Sequence, residues 1–292
     1  MLLWLLLYSS RIVTCIHFGI VMPIVCTRQD PYVLVASNTS FPSISKQTHT
    51  SWTLILIGDG IDIDCANRIR AVVAKALPMD RVIFRILEER LTERSMYKNK
   101  VWKGCGLWCF ASSNSINFGL DIASKLPHIS HIARIDDDDT WSPNHLQNLI
   151  LGFGVSKEVR FVYTRGRFTE GRILPESGSF PTHKGAVRYP PVPCQVADSS
   201  TSWSKSLNLR LRQPLEQLNA SRSMISCCAY TTCRDVILPN DADLWERVWG
   251  DVANKRYLSI LVPDIDVIKL DRPQKNLLLE QLLKSHRSSQ TD

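Results

Sequence analysis

Four aspartates in a row stand where an apolar run gives out, in His131-Ile132-Ala133-Arg134-Ile135-Asp136-Asp137-Asp138-Asp139-Thr140-Trp141-Ser142-Pro143. Carboxylates held this close repel one another, and a hard divalent cation is a common way to relieve that repulsion. A solvated acidic turn is the plainer reading of any Asp run. The strand-like residues before this one and the Trp-x-Pro after it favour a site instead. A cation at the carboxyl end of a strand is well placed to hold a diphosphate.

Around this cluster, strand-like runs alternate with helix-like ones, the pattern of a mostly parallel sheet covered by helices. Apolar runs predict strands at 18–26, 52–57, 81–87, 129–135, 160–164 and 257–262. Helical spacing predicts helices at 65–77, 113–126, 144–153, 243–249 and 274–286, with 32–46 a helix or a long loop broken at Pro42. Residues 165–205 are rich in Gly, Pro, Ser and Arg, and read as a long loop or a small antiparallel excursion. The expected division is an apolar segment at 1–17, one α/β domain at 18–270, and a terminal helix and tail at 271–292.

The formal net charge is +7, concentrated between Arg160 and Arg222, where ten Lys/Arg face four acids. No zinc finger, aromatic RNA-binding signature or basic heptad accompanies it, so no nucleic acid is expected. An anionic donor, an acidic acceptor or a membrane headgroup explains the bias more simply. The nine cysteines are odd in number, several lie in apolar runs, and Cys105/Cys109 and Cys228/Cys233 lack zinc-ribbon spacing. Buried free thiols are expected rather than structural zinc or a disulfide framework. Met1–Tyr8 and Ile12–Cys26 are apolar, but each falls short of the ~20 residues of a membrane span. The cytoplasm or a membrane surface is the expected location. Sequons at Asn38 and Asn219 keep an ER or Golgi lumen open as the alternative.

Three stretches carry a resemblance. The run Ser43-Ile44-Ser45-Lys46-Gln47-Thr48, continuing to Trp52-Thr53-Leu54-Ile55-Leu56-Ile57-Gly58-Asp59-Gly60, resembles the S-I-x-x-Q-T-x-x-x-W-E-L-I-I-V-D-D-G of family 2 glycosyltransferases. Asn117-Phe118-Gly119 and then Ile132 to Pro143 are similar to that family's N-x-G and I-A-x-L-D-x-D-D-x-W-x-P. Asn240-Asp241-Ala242-Asp243-Leu244-Trp245 resembles its E-D-x-D-L-W. Together they cover about residues 18–265. The resemblance implies a GT-A (Rossmann-like) fold with an acceptor-side loop region, a nucleotide-diphospho-sugar donor, and a saccharide, lipid or protein acceptor. It also implies Mn2+ or Mg2+, acting as a Lewis acid on the departing diphosphate.

By the same resemblance Asp138 is the main metal ligand. Asp136 shares the metal or meets the ribose, and Asp137 and Asp139 line the nucleotide-sugar site. Asp59 meets the base or ribose, with Thr27 a weaker candidate. Asp241 is the general base of an inverting transfer, although a helix cap is the plainer role for an Asp there. Asp243 and Trp245 line the acceptor pocket. Trp203 is read as an acceptor-stacking group or, equally, a core Trp. The chain departs from the pattern at Gly58, where the family has Asp, at Asn240, where it has Glu, and in the first strand, where P-T-Y-N is not clear.

Two other readings compete. Asp136-x-Asp138-x-Thr140 satisfies the D-x-D-x-T of haloacid-dehalogenase-type phosphatases, whose first Asp is a nucleophile, but that motif normally follows the first strand. A catalytically inactive sugar-nucleotide binder is the second, given Gly58 and Asn240. An EF-hand loop fails, because Trp141 and Gln147 stand where Gly and Glu are required.

Overall fold

The computed structural model describes residues 16–26, 32–87, 112–175, 187–188, 198–211, 244, 247–248, 251–252, 254, 256–269, 277–278, 280–282 and 284. The organising element is strand β1 (Phe18–Ile24), buried at every position. Strands buried on both faces read as continuous apolar runs, and this one does. On one side it pairs in parallel with β2 (Trp52–Asp59), from Phe18↔Trp52 to Ile24↔Gly58, and β2 in turn pairs in parallel with β3 (Val82–Leu87). On the other side β1 pairs in parallel with β4 (His131–Arg134), from Phe18↔His131 to Val21↔Arg134.

The sheet continues through later strands: β5 (Asp139–Trp141), β6 (Val159–Phe168), β7 (Ile173–Leu174), β8 (Val187–Arg188), β9 (Thr201–Ser204) and β10 (Leu258–Lys269). Among the described residues the order is β3-β2-β1-β4-β9-β6-β10-β5, with β7 on β6 and β8 on β10. β6 and β10 run parallel to each other, while β9 lies antiparallel between β4 and β6. The expected α/β fold with a mostly parallel sheet is present, and the stretch after residue 165, read as a long loop or a small antiparallel excursion, supplies β7, β8 and β9 in antiparallel pairings.

Helices cover both faces. On one face α1 (Tyr32–Asn38), α2 (Ser40–Ser45), α3 (Ile63–Ala76) and a later helix at His145–Phe153 cover the sheet. Phe18, Ile20, Met22 and Ile24 of β1 share a core there with Phe41, Ile69 and Leu149. On the other face α4 (Ser113–Lys125) sets Ile116, Leu120 and Ala123 against Val21, Ile55 and Ile57. The His145–Phe153 helix is α5. Pro42 does not break the chain as expected. It sits in the first turn of α2, where a missing N–H costs no helical hydrogen bond.

Three further differences stand out. β6 runs to Phe168 and β10 to Lys269, beyond the apolar cores that mark them in the sequence. Continued pairing with each other carries the tails, from Ile265↔Arg165 to Lys269↔Phe168. Cys26 and Cys65, the cysteines among the described residues, are joined in a disulfide with Cα atoms 5.9 Å apart, where free thiols were expected. Among the described residues no helix is long and apolar enough to cross a membrane.

At the amino ends of β1, β4 and β6 lies a cavity of about 320 Å³, bordered by Ile16, His131, Phe153, Lys157 and Arg160. The His131 ring packs 4.3 Å from that of Phe153. Burial, helped by Arg160, lowers its pKa to about 4 from an ordinary 6.5. The folded chain therefore prefers the neutral ring, whereas the unfolded chain takes up a proton near pH 6.5. The contribution to stability is complete above that pH, is lost as pH falls, and levels off below about 4, on the order of 3 kcal/mol. His131→Phe keeps the aromatic contact without the titration. Its melting temperature should fall less between pH 7 and pH 4.5 than that of the wild type; equal slopes would contradict this.

Candidate active site

β1 is the point at which strand order reverses, with β2 on one flank and β4 on the other. Open α/β sheets bind ligands outside the carboxyl ends of their strands at such a reversal. The four aspartates lie there. Ile135 N–H donates to the Val21 carbonyl at 3.2 Å, carrying the alignment of β4 one residue past its end. The chain then turns, with Asp139 N–H donating to the Asp136 carbonyl at 3.3 Å, and enters β5.

Distant segments hold this turn. At the α1–α2 junction, Ser40 Oγ and Thr39 Oγ1 donate to the Asp137 carbonyl at 3.0 and 3.3 Å. Asp136 N–H donates to Ser199 Oγ at 3.0 Å, and that hydroxyl in turn donates to the Asp139 carboxylate. Trp141 Nε1 fixes Ser199 by donating to its carbonyl at 2.6 Å. Among the described residues, Arg134 and Lys269 answer the charge. Arg134 Nη2 lies 3.4 Å from Asp136 Oδ1. Lys269 Nζ lies 2.6 Å from Asp139 Oδ2 and 3.3 Å from Asp136 Oδ2.

Carboxylate oxygens of Asp136, Asp138 and Asp139, one from each residue, lie within 4.8 Å of one another. Asp139 is 1% exposed, and its Oδ1 has no hydrogen-bond partner. Burial pushes its pKa up to about 7; Lys269 opposes that shift, and Asp136 and Asp138 add to it. Hard oxygen donors gathered in this way, one of them buried with an open lone pair, are a set that can hold a divalent cation.

Behind the turn lies a second polar network. Asp266 of β10 accepts from Ser142 Oγ at 2.6 Å and from Asn148 Nδ2 at 2.9 Å, while its carbonyl accepts from Ser142 N–H at 2.7 Å. Gln47 donates to the Ser142 carbonyl at 2.7 Å and accepts from Leu146 N–H at 3.0 Å. The Gln-Thr and Trp-Ser-Pro motifs, about a hundred residues apart in sequence, thus form one packed unit. Burial works against the charge of Asp266, but contacts from His145, Ser142 and Asn148 hold its carboxyl below the usual range. His145 itself is buried against Trp141, with ring centroids 4.4 Å apart. The N-x-G motif is also structural. Asn117 exchanges two 2.9 Å hydrogen bonds with the Leu211 backbone, and a Cβ on Gly119 would lie 2.7 Å from Val21 Cγ1.

Of the residues singled out in the sequence, Asp136, Asp137, Asp138 and Asp139 share the turn. Asp59 ends β2, the strand on the far side of β1. Trp203 is corrected: it is 2% exposed within β9, packed in the core beneath α4, and presents no face to an acceptor. Thr27, Asp241, Asp243 and Trp245 lie outside the described residues. Beside them, Leu244 and Val248 are helical and buried in that same core. Ser199, Asp266 and Lys269 carry no local signal in the sequence, because only tertiary pairing brings them to the turn.

An acidic turn at the strand-order reversal of a mixed sheet is the arrangement expected of the GT-A fold. No protein-family model matches the chain. It is 25% identical over 243 residues to an uncharacterised glycosyltransferase of Acanthamoeba polyphaga mimivirus, covering 82% of this chain and 88% of the relative. Among solved structures it is similar to S. aureus TarS, residues 1–349, with a TM-score of 0.53 and 11% identity over 87% of this chain. The complex of the same protein with UDP-GlcNAc gives a TM-score of 0.55, again at 11% identity, over 88% of this chain. The chain spans about 60% of the length of these TarS structures. The chain thus shares the GT-A fold of TarS and is similar in sequence to a glycosyltransferase.

Gly58, where family 2 has Asp, has a packing reason here. A Cβ at this position would lie 2.3 Å from Ile61 Cδ1, so the Ile61 side chain fills the space a larger residue would need. Gly58→Asp should therefore lower stability by roughly 1–3 kcal/mol rather than improve the site. Gly58→Asp with Ile61→Ala should recover part of that loss. Urea denaturation of the two variants checks this, and a fully stable single variant would contradict it.

Proposed function

We propose that this chain is a glycosyltransferase that takes its sugar from a nucleoside-diphosphate donor and passes it, with inversion, to a hydroxyl of a saccharide, lipid or protein acceptor. The observation that carries this reading is the gathering of three carboxylate oxygens within 4.8 Å at the strand-order reversal. The fold shared with TarS, whose solved complexes hold UDP and UDP-GlcNAc, supports a nucleotide-sugar donor.

In this reading Asp138 and Asp136 hold Mn2+ or Mg2+, with the open oxygen of Asp139 beside them. The ion supplies Lewis-acid stabilisation of the diphosphate's developing charge. Asp59, Asp137 and Thr27 face the nucleotide. Asp241 accepts the proton of the acceptor hydroxyl as its oxygen closes on the anomeric carbon. The new C–O bond forms as the bond from that carbon to the diphosphate oxygen breaks. The nucleoside diphosphate leaves with the electron pair. A single displacement from the opposite face inverts the centre. Asp243 and Trp245 line the acceptor side, where the Lys/Arg excess of residues 160–222 suits an acidic acceptor or a membrane surface. The roles of Asp241, Asp243, Trp245 and Thr27 rest on their motifs. Residues 18–270 form the transferase domain, with 271–292 an appended helix and tail.

A phosphatase reading would make Asp136 a covalent nucleophile. The D-x-D-x-T motif of that reading belongs after a first strand, whereas Asp136 follows the fourth. Asp138→Asn should cut Mn2+-dependent transfer or hydrolysis of UDP-sugars by roughly 100-fold or more while leaving the circular dichroism spectrum unchanged. Undiminished turnover in that variant would overturn the reading, and so would phosphate release from a simple monoester without any sugar donor.

A further inference from the structure

We propose that Lys269 is a tethered rival of the divalent cation, so that the ion binds weakly to the free protein and tightly once a diphosphate is present. The proposal rests on the metal reading above and adds a residue that no motif contains. Lys269 ends β10, where antiparallel pairing places it opposite Asp139, and its carbonyl accepts from Thr169 N–H at 3.1 Å. Its side chain is 18% exposed, and its ammonium bridges Asp139 Oδ2 and Asp136 Oδ2 at 2.6 and 3.3 Å. Both residues belong to the carboxylate triad. The ammonium therefore occupies lone pairs beside the position an ion would take.

A divalent ion drawn to the same carboxylates meets this positive charge within a few ångströms and repels it. The buried Asp139 still offers an oxygen without a partner, so the triad can accept the ion once the ammonium gives way. A lysine can give way, because its charge rides on a flexible four-carbon stem. The ammonium needs an anion to turn towards, and a diphosphate arriving with the metal provides one. Ion and diphosphate then bind cooperatively, each raising the affinity for the other by the same factor. Without a ligand, Lys269 also offsets part of the negative charge of Asp136 and Asp139.

The test is Mn2+ titration of the full chain, by calorimetry or water-proton relaxation, with and without UDP. UDP should raise the Mn2+ affinity of the wild type by roughly tenfold or more. Lys269→Met should bind Mn2+ alone about tenfold more tightly than the wild type and gain less from UDP. Lys269→Arg, which keeps the charge, should behave as the wild type. Lys269→Gln, which still donates to Asp139, replaces the Met variant if that one does not fold. Equal Mn2+ affinity of wild type and Met or Gln variant in the absence of UDP overturns the role of Lys269 and leaves the metal reading standing. No Mn2+ binding by any of the proteins, with or without UDP, overturns the metal reading and this proposal together.

Discussion

Crowded negative charge at the end of β4 is the constraint on which the rest of the site depends. Adjacent carboxylates raise one another's pKa, and burying one of them raises it further. The fold answers with groups drawn from across the chain. Arg134 comes from the strand itself, Lys269 from the last strand, and Ser199 from the turn before β9. Thr39 and Ser40 at the α1–α2 junction hold the turn's backbone rather than its charge. The site is therefore a meeting of segments, and the sheet order that reverses at β1 makes the meeting possible.

The same logic explains the spacing of the sequence motifs. Gln47 and the Ser142-Pro143 turn hydrogen-bond to each other, and Asp266 clamps the turn from behind. Asn117 binds the Leu211 backbone, and Gly119 lets α4 lie close on β1. These residues brace the acidic turn and the sheet beneath it without touching a carboxylate of the cluster. A buried polar network of this kind holds geometry only when its members are satisfied together. Removing one would loosen the turn.

Much of this was legible in the sequence. The first four parallel strands announced themselves as apolar runs, and the acidic cluster marked the carboxyl edge. Strand ends were less legible: β6 and β10 extend through polar residues such as Arg165, Arg167 and Lys269, because pairing with each other rather than local preference carries them. Thr201–Ser204 gave no strand signal, yet it fills the place between β4 and β6, which is why Trp203 is a core residue and not a sugar platform. Pro42 was misread as a breaker because its position within the first turn depends on where the helix starts. Gly58 stood out as a departure from the family pattern, and Ile61 supplies a packing cause that no motif encodes.

The central claim is that the acidic turn grips a divalent ion which in turn grips a diphosphate. Crystals grown with Mn2+ and UDP, measured at the manganese absorption edge, test it most directly. The account expects an anomalous peak within coordination distance, about 2.0–2.6 Å, of Asp138 and Asp136 oxygens and of the UDP diphosphate. UDP bound elsewhere, or bound at this edge of the sheet with no manganese between it and those carboxylates, would contradict it.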